Sequence, residues 1–193
     1  MNTTNDIGFE QVARAAFLTL LQNLNTAIYA QTSVWAQADV SFYSALSRGY
    51  DPIILEEIPK EKFYFGFTPS LLNGSIDSFP NISVYPIRAV SVQPLLDYDQ
   101  PNVDEKDISF AVETLLRSTV NEDEVTKRMT RTSNAIHAVL MGNATLGGIV
   151  DNLNFVSVLP ADVEIVKKGI SSGEDWFWQG SRLEYRVRKA SIY

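Results

Sequence analysis

The chain has 193 residues, 45% apolar and 20% charged, a composition ordinary for a soluble globular domain with its own core. It contains no cysteine, which excludes disulfides and thiolate metal sites, and its formal net charge of −7 argues against wrapping nucleic acid, an affinity that rests on Lys and Arg neutralising phosphates. The opening MNTTNDIGFE has neither a basic nor an apolar leader region and no apolar run reaches the length of a membrane span, so no secretory signal and no membrane partner is expected.

Over residues 7–29, Ile7, Phe9, Val12, Ala13, Ala16, Phe17, Leu20, Leu24 and Ile28 recur at threes and fours, which predicts an amphipathic helix. Asn5 or Asp6 is placed to cap it, and Glu10 suits the positive end of its dipole. Residues 31–78 show no clear period. Arg48 to Pro52 is a turn signal, Ile53 to Ile58 reads as a strand, and FYFGF (63–67) with Pro69 to Ser75 reads as an irregular insertion. FPNISVYPIRAV (79–90) is β-friendly, but Pro80 and Pro86 assign it to an edge or a bulge. The stretch 93–107, rich in Pro and Asp, predicts a loop or hairpin and a second insertion near 91–106.

Residues 108–118 alternate cleanly, with Ile108, Phe110, Val112, Thr114 and Leu116 on one face of a half-buried strand. A second helix is predicted over 121–141, capped by Asn121, with Glu122, Asp123 and Glu124 in its first turn. Its apolar stripe holds Val125, Met129, Thr132, Ile136, Val139 and Leu140, and Lys127, Arg128, Arg131 and Asn134 lie opposite, toward solvent. Gly142 is placed as a left-handed stop, a job Asn143 can share. Two further strands, over 153–167 and 176–190, are placed to pair antiparallel across a turn at 169–173; in the last, Leu183, Tyr185 and Val187 alternate with Arg182, Glu184, Arg186 and Arg188. Strands and helices do not interleave one for one. The order predicts a single α+β domain over 1–193: a mostly antiparallel sheet of about four strands, two main helices packed on one face, and an irregular insertion within 31–78.

Chemistry is sparse. Gly142 and Gly147 have the glycine spacing of a phosphate loop, but Gly148 and Ile149 stand where Lys and Ser/Thr are needed, and the segment follows a helix instead of joining a strand to one. The turn Thr145-Leu146-Gly147-Gly148-Ile149 therefore reads as architecture, with glycines for positive φ or close approach. His137 is the only histidine and borders the apolar stripe; Ser133 lies one turn away on the same helix, and no third member of a triad can be named. Asp97, Asp99, Asp104, Glu105 and Asp107 do not match a calcium-loop spacing and read as a solvated loop, with a weak Ca²⁺ or Mg²⁺ site as the alternative. Trp176 and Trp178 suit a core or a partner surface, and Arg182, Arg186 and Arg188 a solvated face or an acidic neighbour. No catalytic, cofactor or metal residue is assigned. The expectation is an assembly or binding protein, not an enzyme, with a small ligand-binding domain or enzyme using His137 as the reading from another class.

The succession FPNISVYP (79–86), ISFAVETLL (108–116), EDEVTKRMTRTSNAI (122–136), HAVLMGNATLGGIVDNL (137–153) and DWFWQGSRLEYRVR (175–188) resembles the tail-terminator, or tail-completion, proteins of tailed bacteriophages. TLGGIVD is the most specific piece of that resemblance. It implies an antiparallel sheet flanked by helices and a six-fold homo-oligomeric ring on the head-proximal end of the tail tube. The ring would end tube polymerisation and meet a head-closure or connector protein. The implied location is the neck of the virion, after synthesis in the host cytoplasm, with DNA passing the bore without specific binding. A head-closure or other neck adaptor is the alternative within the class. A closed ring requires two different complementary patches on each copy. The acidic Asp97, Asp99, Asp104, Glu122 and Asp123, the aromatic Trp176 and Trp178, and the basic Arg182, Arg186 and Arg188 are the interface candidates.

Overall fold

The computed structural model describes residues 8–46, 53–66, 79–92, 103–118, 122–160, 164–166 and 176–192. Helix α1 runs Phe9–Ala45, and β1 is Phe63–Phe65, β2 Asn81–Val92 and β3 Val103–Ser118. Helix α2 is Glu122–Gly142, followed by β4 Leu153–Pro160, β5 Glu164–Val166 and β6 Trp176–Ile192. The fold is α+β. Among the described residues its sheet has six strands where about four were expected, in the order β1-β2-β3-β6-β4, with β5 also paired to β6. All pairs are antiparallel except β1 with β2.

Both helices cover one face of this sheet. Ile82 and Val84 of β2, Ile108, Phe110 and Val112 of β3, Leu183, Tyr185 and Val187 of β6 and Leu153 of β4 point to that face and share one core with Val12, Ala16, Leu20 and Leu24 of α1 and Ile136, Val139 and Leu140 of α2. Phe110 and Tyr185, fully buried neighbours on the paired central strands, stack with ring centroids 5.5 Å apart. The expected stripe of α2 and the expected alternation of β6 hold because each has one face against this core. β3 alternates as expected but is not half-buried: Asp107, Ser109, Ala111 and Leu115 on its other face are buried as well, since it is a central strand between β2 and β6.

Helix α1 departs most from expectation. It does not end near residue 29 but continues to Ala45, so residues 31–45 are not part of an insertion. Gly8 stands at its N-terminus, where the Gln11 side chain accepts the Gly8 N–H at 3.3 Å; Asn5 and Asp6 lie outside the described residues. The distal half carries few large apolar residues facing α2. Polar contacts hold it there instead: Arg131 pairs with Asp39 and lies 5.5 Å over the Trp35 ring, and Lys127 reaches both Tyr43 and Asp123. Those bonds, Asp123 first and Tyr43 second, raise the Lys127 pKa above its ordinary value.

The polar face of α2 is consequently not a solvated face. Arg131 is buried, Arg128 bridges Glu124 at 2.6 Å and Glu56 at 2.7 Å, and of the four residues expected in water only Asn134 is exposed. The Asn121 cap lies outside the described residues, whereas the acidic first turn of α2 is present as expected.

Residues 53–58 are not a strand. They run beside α1 without regular structure, pinned by Asn25, whose amide donates to the Ile58 carbonyl and accepts the Ile58 N–H, each at 2.9 Å. FYF of the supposed irregular insertion is β1 in register with Ile82 to Val84; Pro69 to Ser75 lie outside the described residues. A register shift between Pro86 and Arg88 is the bulge expected in β2, past the stretch that β1 covers. β3 opens at Val103, so 103–107 are strand and not loop, paired throughout by β6 and from Glu105 onward by β2 as well. The segment 153–167 divides into β4 and β5, both antiparallel to β6; the turn at 169–173 lies outside the described residues.

The Asp39–Arg131 pair is nearly dry, with side chains 13% and 8% exposed. Removing one partner of such a pair strands the other charge. Asp39→Ala is expected to lower stability by about 3 kcal/mol in urea denaturation. The double variant Asp39→Leu/Arg131→Met is expected to recover most of that loss; equal stabilities of the Asp39→Ala and parent chains would remove the pair from the fold's support.

Candidate functional site

The turn after α2 is built as follows. α2 ends at Gly142, which is the last helical residue and does not take positive φ. Asn143 does not take positive φ either, so the expected left-handed stop is absent at both positions; Asn143 closes the helix end instead, its side-chain amide donating to the Val139 carbonyl at 2.8 Å and its N–H reaching Leu140 O at 3.1 Å. The reversal follows at Leu146, Gly147 and Gly148, with φ of +47°, +73° and +86°. The Thr145 carbonyl gathers the N–H groups of Gly148 at 3.0 Å and Val150 at 3.1 Å. Leu146 and Val150 are the buried anchors, and Ile149 is only half-buried against the core. A Cβ on Gly147 or Gly148 would meet nothing within 4 Å, so these glycines serve backbone conformation and not close approach.

The sheet face away from the helices carries the charged residues of the central strands. Arg186 donates to Asp107, a diagonal pair on one face two residues off direct register across β3 and β6. Tyr85 of β2 donates its hydroxyl to Glu113 of β3, and the Arg182 guanidinium of β6 lies 5.7 Å over the Tyr85 ring. Burial, then the bond to Glu113, pushes the Tyr85 pKa above the ordinary tyrosine range. Beside this group lies a groove of about 230 Å³ walled by Glu113, Leu115, Leu159, Trp178, Gly180 and Arg182. Phe79 packs on Trp178 at its end, with ring centroids 6.2 Å apart.

The structure thus brings Trp178 and Arg182 together at one groove and joins Arg186 to Asp107. Asp97 and Asp99 lie outside the described residues; Asp104, Trp176 and Arg188 sit on β3 and β6 with only their strand positions described. Glu122 is exposed, and Asp123 is taken by Lys127. His137 packs edge-on to Phe155 with centroids 4.7 Å apart, its Nδ1 3.5 Å from the Tyr185 hydroxyl. Ser133 is not turned to it but shares a 2.9 Å hydrogen bond with Ser181 of β6. Among the described residues no three His, Asp or Glu cluster to hold a metal ion, and no helix is long and apolar enough to cross a membrane. Sequence reasoning missed the Tyr85–Glu113–Arg182 group. Each member alternates correctly within its strand, but only the register of β2, β3 and β6 makes them neighbours. No family model matches this chain, and no curated protein matches it.

Two outcomes follow from this geometry. Gly148→Val should cost about 2 kcal/mol, since a β-branched residue is strained at positive φ, while Gly148→Asn should cost clearly less; thermal melts in which valine and asparagine are equivalent would contradict the assigned conformational role. Burial raises the Tyr185 pKa as it does that of Tyr85, so the folded state holds these protons to higher pH than the unfolded chain. Their contribution is complete below the ordinary value of 10.0 and declines as pH rises past it. Urea denaturation of the parent chain should show stability falling above that pH, and Tyr185→Phe should flatten the fall; an unchanged slope in the variant would assign the effect elsewhere.

Proposed function

We propose that this chain is a structural protein of a bacteriophage tail: a terminator that closes into a ring at the head-proximal end of the tail tube, ends tube polymerisation and presents a surface to the head connector. The observation that supports this reading is where the resembling segments lie. FPNISVYP, ISFAVETLL, the helix from Glu122, TLGGIVD and RLEYRVR fall in or beside β2, β3, α2, the following turn and β6, which form one contiguous body with β4. The TLGGIVD turn sets the path from α2 into β4 by its own backbone conformation, as a scaffold element does and a ligand loop need not. Partners on this reading are further copies of the chain, the tail-tube protein and a head-closure or connector protein, with DNA crossing the bore unbound. The site of action is the virion neck.

Electron microscopy of lysates from a phage lacking this gene tests the reading. Overlong or abnormal tails beside unattached, DNA-filled heads are the expected outcome. Tails of normal length with heads that have lost DNA would assign the chain to head closure, and intact virions would overturn both.

A further inference from the structure

We infer that copies of this chain meet head to tail by seating the outward face of α1, from Tyr29 to Leu46, against the β4 edge of the next copy. The inference rests on the ring reading above and names its contact.

The first observation concerns charge. Between Arg14 and Arg48 the sequence holds one charged residue, Asp39, and it is turned inward to Arg131. The outward face of distal α1 therefore presents no ionic group along roughly 25 Å of helix. It presents Ser33, Gln37, Ser41 and Ser44, all exposed, flanked by Tyr29, Val34, Val40 and Phe42 at 79%, 66%, 53% and 60% exposure. A helix face that stays in water is normally dressed with charge. Covering this one removes apolar surface from water and strips no ion of its hydration.

The second observation is at the other end of the sheet. β4 is the outermost strand on the β6 side, and its sequence LNFVSVLP has no charge. Val156, Val158 and Leu159 are 50%, 47% and 57% exposed. An uncharged, apolar outer strand lacks the charges that ordinarily guard an edge against pairing with another chain. Eight residues of strand extend about 26 Å, the length of the α1 face.

The third observation is placement. α1 packs over β1, β2 and β3, whereas β4 lies beyond β6, under α2. Distal α1 packs against α2, and it is α2 that meets β4, so α2 stands between the two uncharged surfaces and they cannot cover each other within one copy. A closed ring needs this arrangement of two different patches on each subunit. The chemistry also matches. Seryl hydroxyls and the Gln37 amide can meet the outer N–H and C=O groups of β4, while the flanking apolar residues close around Val156 and Val158. Several of the charged groups elsewhere already have partners within the chain, Asp123 on Lys127, Glu124 on Arg128 and Asp107 on Arg186, so those suit this contact less.

The absence of native cysteine makes the test clean. Ser41→Cys, or Gln37→Cys to sample the next turn, is combined with Val158→Cys in one chain. The full chain is concentrated, oxidised and run on a non-reducing gel, with sedimentation in parallel; thermal melts confirm that these exposed substitutions leave the fold intact. The double variant is expected to give a ladder of covalent oligomers ending at one closed species. Each single variant alone should give none, and a mixture of the two single variants should give dimers only. Strong cross-linking of either single variant with itself would show a like-to-like contact and overturn the inference. Rings by sedimentation without cross-links would overturn the contact and spare the ring; a ladder that never closes would keep the contact and sink the ring. Monomers with no cross-links at any concentration would overturn both.

Discussion

Two opposite charges set between the helices govern how this molecule is put together. Asp39 approaches from α1 and Arg131 from α2, neither with much access to water, and the Trp35 ring lies against the guanidinium. In that setting each charge is tolerable only beside the other. The pair therefore fixes the axial position of α1 along α2 more sharply than apolar packing would, because an ion pair does not slide. Lys127 bonded to the Tyr43 hydroxyl further along, and Arg128 paired with Glu56 on the neighbouring segment 53–58, add to the row. The proximal half of α1 is held by the core, and its distal half by this row of polar contacts.

That division has a consequence for the surface. Since the one acidic residue of distal α1 is used inward, the outward face is left without charge. On the sheet side the arrangement is reversed: Asp107, Glu113, Arg182 and Arg186 crowd the face away from the helices and contact one another or Tyr85. The molecule thus concentrates its interactions between charges on surfaces that are complete within one copy. It leaves uncharged apolar surface on distal α1 and along β4. An assembly built from such units would derive its cohesion from burial and neutral hydrogen bonds, and would weaken little with added salt.

The turn Thr145 to Val150 links these layers. Three consecutive residues at positive φ, closed by one carbonyl and anchored by Leu146 and Val150, send the chain from the end of α2 into β4 along a defined path. The position of the β4 edge relative to α2 depends on that path, so a turn with no chemistry of its own still shapes the surface assigned here to assembly.

The α2 stripe, the alternation of β3 and β6, the acidic first turn and the glycine turn were legible in the sequence, because each is a local pattern of period 3.6 or 2 or a local backbone need. Periodicity showed which side of α2 is apolar, but not what lies over the other side. Arg131 looked solvated because Asp39 is 92 positions away. The distal half of α1 was illegible for the same reason: its stabilising partners are polar and remote. FYF is too short to announce a strand, and the acidic start of β3 reads as loop until β2 and β6 are seen pairing on either side of it. The Tyr85–Glu113–Arg182 group depends on the register of three strands. By itself the sequence determined the elements whose stability comes from one apolar face against one core. Only the tertiary structure decided where polar side chains find partners across the chain, because a charge or hydroxyl carries no period that points to its mate.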